Sequence, residues 1–179
     1  EIDNRTVAAK NTKGKNSEMA VENTTASEKA DPVIYAPVSG EVVALSEIPD
    51  KTFASGILGD GVGIHPSNGK VVAPFDGIIS ATTETSHAIG VTGENGAELL
   101  IHIGVDTVAM QGKGFKTLVK DGQKVVKGQN LIEFDIDEIK KAGYPDTVAI
   151  LVGNTSDFAA VKRLDSGKVT AGDELLSIE

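Results

Sequence analysis

From Pro32 onward the chain consists of short apolar runs, separated at intervals of about eight to twelve residues by Gly, Asp, Asn or Pro. Short runs with turn residues between them are typical of packed antiparallel sheets, so the pattern predicts an all-β fold, an antiparallel β-sandwich or barrel-like domain. The predicted strands cover residues 33–36, 40–44, 61–65, 70–73, 77–82, 88–92, 98–103, 124–126, 130–134, 146–152 and 175–178. Two short helices are predicted over 114–120 and 136–142, the second capped by Asp135.

Two pieces of this region occur twice. The stretch "APVSGEVV" at 36–43 returns as "APFDGIIS" at 73–80, and "VVKGQNLIEF" at 125–134 returns as "VTAGDELLSI" at 169–178. Each piece contains a glycine turn beside an apolar run, which indicates hairpin-like parts of one sandwich.

The first part of the chain has a different composition. Residues 1–32 are rich in Asn, Thr, Lys, Glu and Ala and show neither a helical nor an alternating period. Such a segment buries too little apolar surface to offset the entropy lost on ordering. We therefore expect a flexible, disordered interdomain linker over 1–32, followed by one domain over 33–179. Because the chain begins with Glu1, we expect it to be part of a longer polypeptide.

Composition limits the possible partners and compartments. The chain has no cysteine, which excludes disulfides and a cysteine nucleophile and fits a reducing cytoplasm. Its formal net charge of -9 argues against a nucleic-acid partner and favours a basic protein partner. No apolar run approaches the roughly 20 residues that a membrane helix needs. We expect a cytoplasmic domain.

Two of the three histidines of the chain are predicted to meet. If 88–92 and 98–103 form a hairpin about the turn "GENG", His87 and His102 lie near the same end of adjacent strands, which are about 4.8 Å apart. Desolvation in the apolar run "ELLIHIGV" favours neutral imidazole, a competent nucleophile near neutral pH, and Thr85 or Asp106 could fix its tautomer. A hydrogen-bonded structural histidine is the other interpretation of His102, and the residues alone leave both open. His65 is expected in a loop.

The sequence lacks the motifs of several other kinds of catalytic site. There is no HxH or HExxH pair for zinc, no GxSxG elbow for a serine hydrolase, and no P-loop or GxGxxG for a nucleotide. We therefore expect no metal site and no cofactor.

Six motifs resemble, in order and spacing, the glucose-family IIA domain of the bacterial phosphoenolpyruvate-dependent sugar phosphotransferase system. They are "IYAPVSGEVVAL", "IPDKTFASGILGDGVGI", "VVAPFDGIISA", "ETSHAIGV", "ELLIHIGVDTV" and "GFKTLVKDGQKVVKGQNLIEFD". The resemblance covers about residues 33–179 and leaves out the linker. It implies a β-sandwich phosphotransferase that takes a phosphoryl group from the phosphohistidine of the carrier HPr and passes it to a cysteine of a IIB domain.

The resemblance also implies roles for individual residues. In "HIGVDT", His102 is the histidine that is phosphorylated; in "ETSH", His87 assists transfer and Thr85 holds the ring of His87. The partner-binding residues that it implies are Asp50 and Asp106, which face arginines of HPr, and an apolar docking rim of Phe53, Ile89 and Leu100.

The chain departs from well-known members of this family at the rim, where Thr83, Ile89 and Leu100 replace phenylalanines. The linker predicts fusion behind IIB and IIC domains or behind a sugar symporter. In the symporter alternative, phosphorylation of His102 tunes transport without onward transfer. A biotinyl or lipoyl carrier domain is a further alternative, but the chain lacks an MKM or DKA motif.

Overall fold

Burial alternates along several of the strands. In the run Glu98–Ile103, for example, Leu99, Ile101 and Ile103 are buried, whereas the residues between them are exposed or half-buried. Successive side chains of a strand point to opposite faces, so one face of this strand packs on the core and the other remains available for a site.

The structure is a computed structural model that describes residues 30–179. The strands in this part of the chain are β1 (Val33–Tyr35), β2 (Gly40–Ala44), β3 (Asp60–Pro66), β4 (Lys70–Val72), β5 (Gly77–Thr82), β6 (Ala88–Gly93), β7 (Glu98–Ile103), β8 (Phe115–Thr117), β9 (Lys124–Val125), β10 (Asn130–Phe134), β11 (Val148–Val152), β12 (Val161–Arg163), β13 (Lys168–Val169) and β14 (Glu174–Ile178). The helices are α1 (Lys51–Ala54) and α2 (Ile136–Lys141), and 3₁₀ turns lie at Leu45–Glu47, Thr107–Met110 and Thr155–Asp157. The predicted all-β class is confirmed.

The strands form three antiparallel sheets. The largest has eight strands in the order β9-β5-β6-β7-β11-β3-β2-β13, and the smaller ones have the orders β4-β10-β8 and β12-β14-β1. Side chains from all three sheets share one hydrophobic core, which includes Ile64, Ile79, Ile101, Ile132 and Leu176. The expected antiparallel sandwich is therefore present over Pro32–Glu179, which forms one compact unit.

The repeated pieces occupy equivalent places in this architecture. "APVSGEVV" leads into β2 and "APFDGIIS" into β5, and each of these strands pairs with a two-residue strand at one edge of the large sheet. Ala36 N donates to the Asp173 carbonyl at 2.7 Å, and Ala73 N donates to the Gln129 carbonyl at 2.8 Å in the corresponding position. The two copies of the sequence repeat thus make equivalent strand pairings and equivalent hydrogen bonds.

The helix expected over 114–120 is wrong, because β8 occupies Phe115–Thr117. Gly112 and Gly114 have φ of 89° and 86°, which interrupts helical geometry just before this segment. β8 instead pairs with β10, with Phe115 opposite Phe134. The helix expected over 136–142 is confirmed as α2, where the Asp135 carboxylate accepts from Glu138 N at 3.2 Å.

Other differences concern short segments. β12 and β13 lie in regions for which no strand was expected, and α1 lies where no helix was expected. His65, expected in a loop, lies in β3, where its Nδ1 is 3.2 Å from Thr147 Oγ1. The expected linker over 1–32 falls almost wholly outside the described residues. Within 30–179, no helix is long and apolar enough to cross a membrane.

Candidate functional site

The hairpin of β6 and β7 brings His87 and His102 together. Ala88 is the cross-strand partner of His102, and Ile103 N donates to the His87 carbonyl at 2.8 Å. The imidazole rings lie edge to face, with centroids 5.0 Å apart and an interplanar angle of 79°. The predicted meeting of the two histidines on neighbouring strands is confirmed.

His102 projects from the face of the large sheet that is opposite the main core. The expectation that it is buried among Leu99, Leu100, Ile101 and Ile103 is wrong for three of these residues. The alternation of the strand directs Leu99, Ile101 and Ile103 into the core, while His102 stays half-buried on the face that it shares with Leu100. A second apolar cluster covers the His102 face. Its buried members are Ile48, Phe53, Val105, Ala149 and Leu151, and Leu45 and Leu100 pack against them.

One hydrogen bond determines which nitrogen of His102 is free. Nδ1 lies 2.7 Å from the carbonyl oxygen of Gly104. Because a carbonyl oxygen can only accept, Nδ1 must carry the proton, and in the neutral ring Nε2 then has the lone pair. Gly104 has a φ of 76°, so the close turn that points its carbonyl back at His102 depends on the conformational freedom of glycine.

His87 has little solvent exposure, and hydroxyl groups hold its ring. Its side chain is only 8% exposed. Thr85 Oγ1 lies 2.6 Å from Nδ1 of His87, and Thr83 Oγ1 lies 3.4 Å from the same nitrogen. Thr85 therefore lies at the ring of His87, and Nε2 of His87 is the nitrogen that these threonines do not contact.

Both imidazoles are biased toward the neutral form. Burial lowers the pKa of His87 below its ordinary value, and the neighbouring His102 lowers it further. Burial is also the largest influence on His102 and lowers its pKa, although the Gly104 carbonyl, Asp50 and Asp106 act in the opposite direction. The site thus combines an unprotonated ring nitrogen with nearby negative charge.

The helix α1 places Phe53 beside His102. Asp50 caps this helix, and its carboxylate accepts from Thr52 N at 2.8 Å and from Phe53 N at 3.3 Å. The Phe53 ring is 6% exposed, and its centroid lies 4.9 Å from that of His102. An Asp followed by a short polar stretch and an apolar residue is the signal that could have predicted this helix.

The other residues expected to bind the partner differ in solvent exposure. Asp106 is exposed beside the site, with a φ of 62°, and Leu100 is half-buried on the His102 face. Ile89 is 1% exposed and belongs to the main core, where it lies opposite Ile101. The expectation of Ile89 at the docking rim is therefore wrong for this structure, because cross-strand partners share a face of the sheet.

Three exposed apolar side chains near these segments were not anticipated. Ile57 is 78% exposed and Leu58 is 43% exposed, and both follow the helix that carries Phe53. Val108 is 54% exposed, two residues after Asp106. Large apolar side chains in the short turns that follow α1 and β7 are the sequence signal that could have pointed to them.

Comparison with known proteins gives the family of the chain. The family model of the phosphoenolpyruvate-dependent sugar phosphotransferase system, EIIA 1, matches residues 32–158. The glucose-specific EIIA component of Oceanobacillus iheyensis is 43% identical over 140 residues, which are 78% of this chain and 85% of that protein. The solved glucose permease IIA from Mycoplasma capricolum superposes with a TM-score of 0.70 at 30% identity and covers 80% of this chain and 93% of its own.

Longer proteins match over one part of their length. The beta-glucoside-specific EIIBCA component of Halalkalibacterium halodurans is 48% identical over 145 residues, which are 81% of this chain but only 23% of that protein. The glucose-specific EIICBA component of Staphylococcus carnosus is 44% identical over 147 residues, or 22% of its length. This chain therefore belongs to the EIIA family of the phosphoenolpyruvate-dependent sugar phosphotransferase system, whose members are phosphotransferase domains of sugar uptake.

Proposed function

We propose that Nε2 of His102 accepts a phosphoryl group from the phosphohistidine of HPr and passes it to a cysteine of a IIB domain. The observation that carries this proposal is the hydrogen bond from His102 Nδ1 to the Gly104 carbonyl at 2.7 Å, which leaves the lone pair on Nε2. A lowered pKa keeps that lone pair available at neutral pH.

The transfer needs little further chemistry from the protein. The Nε2 lone pair of His102 forms a bond to phosphorus, the nitrogen–phosphorus bond of the donor breaks, and the donor imidazole keeps the electron pair of that bond. Positioning and electrostatic stabilisation account for most of the catalysis in such a step. The Phe53 ring, 4.9 Å from His102, covers one side of the acceptor.

His87 acts as the second histidine of the site. Thr85 Oγ1, 2.6 Å from Nδ1, donates to that nitrogen and thereby fixes the proton on Nε2 of His87. This N–H donates to a phosphoryl oxygen of phosphorylated His102, which lies in the neighbouring ring. A donor that is already oriented stabilises the charge that moves during onward transfer.

The docking surface surrounds this pair. Asp50 and Asp106 supply negative charge that attracts arginines of HPr, and Leu100 supplies apolar contact beside the largely buried Phe53 ring. We include the exposed apolar side chains of Ile57, Leu58 and Val108 in this proposed surface, because they follow the segments that carry Phe53 and Asp106. Ile89 is not part of the surface, because its side chain is in the core.

The domain works in the cytoplasm as part of a membrane-associated sugar transporter, together with IIB and IIC domains. Relatives named EIIBCA and EIICBA components, in which the matching part is about a quarter of the protein or less, support this arrangement. The same names favour phosphoryl transfer to a IIB domain over the alternative of a regulatory module on a sugar symporter.

The test is phosphorylation of the purified chain by phosphoenolpyruvate, enzyme I and HPr, followed by intact-mass measurement. The expected result is one acid-labile phosphate on the wild type and none on His102→Ala. His65→Ala is the matched control, because His65 is an exposed histidine of the same sheet; it should be phosphorylated normally. Phosphate on His102→Ala, or none on the wild type, would refute the proposal.

A further inference from the structure

Thr107 is fully buried and begins the 3₁₀ turn that follows the segment holding His102. Its hydroxyl donates to the carbonyl oxygen of Ile103 at 2.5 Å. Ile103 is the last residue of β7 and the immediate neighbour of His102. The hydroxyl of Thr107 therefore ties the end of the strand to the start of the 3₁₀ turn Thr107–Met110.

The methyl group of Thr107 lies against the backbone of Gly104, three residues earlier in the same loop. A Cβ placed on Gly104 would lie 2.5 Å from Thr107 Cγ2 and 2.9 Å from the Pro145 carbonyl oxygen, so the backbone of Gly104 is enclosed on this side. Gly104 is the residue whose carbonyl accepts from His102 Nδ1. The hydroxyl of Thr107 thus contacts the backbone of Ile103, and its methyl group lies against the backbone of Gly104.

The remaining contacts of the loop come from the neighbouring chain segment. Gly104 N donates to the Thr147 carbonyl at 2.9 Å, and Val105 N donates to the Pro145 carbonyl at 3.0 Å. These two hydrogen bonds fix the backbone N–H groups of Gly104 and Val105. The carbonyl of Ile103 is held by Thr107, so Thr107 completes the set of contacts that orients the Gly104 carbonyl toward His102.

We propose that Thr107 is a positioning residue for phosphoryl transfer, which acts through the Ile103 and Gly104 peptides to keep the proton of His102 on Nδ1 and the lone pair on Nε2. This inference rests on the proposed function of His102. Thr107 touches neither the phosphoryl group nor the acceptor nitrogen, so its effect is on the population of the correct tautomer and on ring orientation.

The matched variants are Thr107→Val, which keeps the shape and removes the hydroxyl, and Thr107→Ser, which keeps the hydroxyl. Thr155→Val is the control, because Thr155 also begins a 3₁₀ turn and donates, at 2.6 Å, to the carbonyl of Val152, the last residue of β11. It removes the same kind of bond without touching the His102 loop.

Two measurements are made on each variant. The ¹⁵N chemical shifts of the unphosphorylated His102 ring, recorded well above its pKa, report the tautomer. The rate of phosphoryl transfer from phospho-HPr reports kcat and KM. For Thr107→Val we expect a visible population of the Nε2–H tautomer and a fall in kcat of about tenfold with little change in KM, since small displacements of reacting groups cost rates of this size. Thr107→Ser and Thr155→Val should resemble the wild type in both readouts.

An unchanged His102 tautomer in Thr107→Val overturns the inference, whether or not the rate falls, because the loss would then be merely structural. An equal loss of kcat in Thr155→Val overturns it as well. Failure of the wild type to accept phosphate would refute the proposed function instead, while the tautomer comparison would still decide the role of Thr107.

Discussion

His87 Nδ1 lies 2.6 Å from the Thr85 hydroxyl, whereas His102 Nδ1 lies 2.7 Å from the Gly104 carbonyl. A hydroxyl can donate or accept, but a carbonyl can only accept, so the two histidines are held by partners of different kinds. Two rings whose centroids are 5.0 Å apart can therefore take different roles, one as the acceptor of phosphate and one as a donor of a hydrogen bond.

His87→Gln should still accept phosphate from HPr but should pass it on slowly. The Nε2 lone pair of His102 is unchanged in this variant, whereas the donor to the phosphoryl oxygen is misplaced. Loss of one oriented donor costs about 100-fold or more in rate. Rapid-quench measurement of each half-reaction separates the two steps, and equal losses in both would contradict the assigned asymmetry.

Thr85→Val should slow onward transfer to the IIB domain more than Thr83→Val does. Thr85 makes the short contact to His87 Nδ1, at 2.6 Å, and Thr83 the longer one, at 3.4 Å. A net hydrogen-bond contribution of about 1 kcal/mol corresponds to a loss of roughly fivefold for Thr85→Val. Thr83→Val serves as the matched comparison in the same transfer assay, and a larger loss in Thr83→Val would reverse the assignment.

The free energy of unfolding should depend on pH through the two histidines. Burial lowers the pKa of both rings below the ordinary value of 6.5, so the unfolded chain binds these protons first as the pH falls. Above 6.5 both rings are neutral in the folded and the unfolded chain, and the free energy of unfolding has its full value. It falls as the pH drops below 6.5 and levels off only below the lower folded-state pKa values. Urea unfolding at several pH values between about 5 and about 7.5 measures this slope.

The control for this effect is the double variant His87→Gln, His102→Gln, which lacks both rings. Its free energy of unfolding should change less over the same interval than that of the wild type. The interval stays above the region in which the Asp165 carboxylate titrates, because its pKa is lowered from 3.8 by the hydrogen bond from Arg163. An unchanged slope in the double variant would show that other groups cause it.

Asp106→Asn should weaken binding to HPr and reduce its dependence on salt. The substitution removes one charge and keeps the shape, and asparagine tolerates the φ of 62° at this position better than alanine does. For an exposed charge at the edge of an interface we expect a loss of affinity of about threefold to fivefold. Titration calorimetry at low and high salt checks this. Glu133→Gln, an exposed acid of β10, is the control and should leave the affinity unchanged.

Much of the fold was predictable, because the pattern of apolar residues and the turn residues determine structure within a short stretch of sequence. The strands predicted over 77–82, 98–103 and 130–134 agree with β5, β7 and β10, and the Asp135 cap correctly located α2. The meeting of His87 and His102 followed from the turn between β6 and β7, since a short turn sets the register of its hairpin.

The predictions that failed concern long-range pairing and the direction of side chains. Phe115 lies in a strand and not in a helix because it pairs with Phe134 of β10. Local sequence propensity does not predict a pairing with a strand that comes later in the chain. Ile89 is only two residues from His87 in the sequence, but its side chain lies in the core. It pairs with the buried Ile101, and cross-strand partners point to the same face of the sheet.

By itself the sequence determined the all-β class, the short elements and the two histidines of the site, because these depend on residue type and on neighbours a few positions away. Only the tertiary structure decided which nitrogen of His102 is free and that Phe53 covers its ring. It also showed that Thr107 anchors the loop beside His102. These features depend on distances of a few ångströms between segments that only folding brings together.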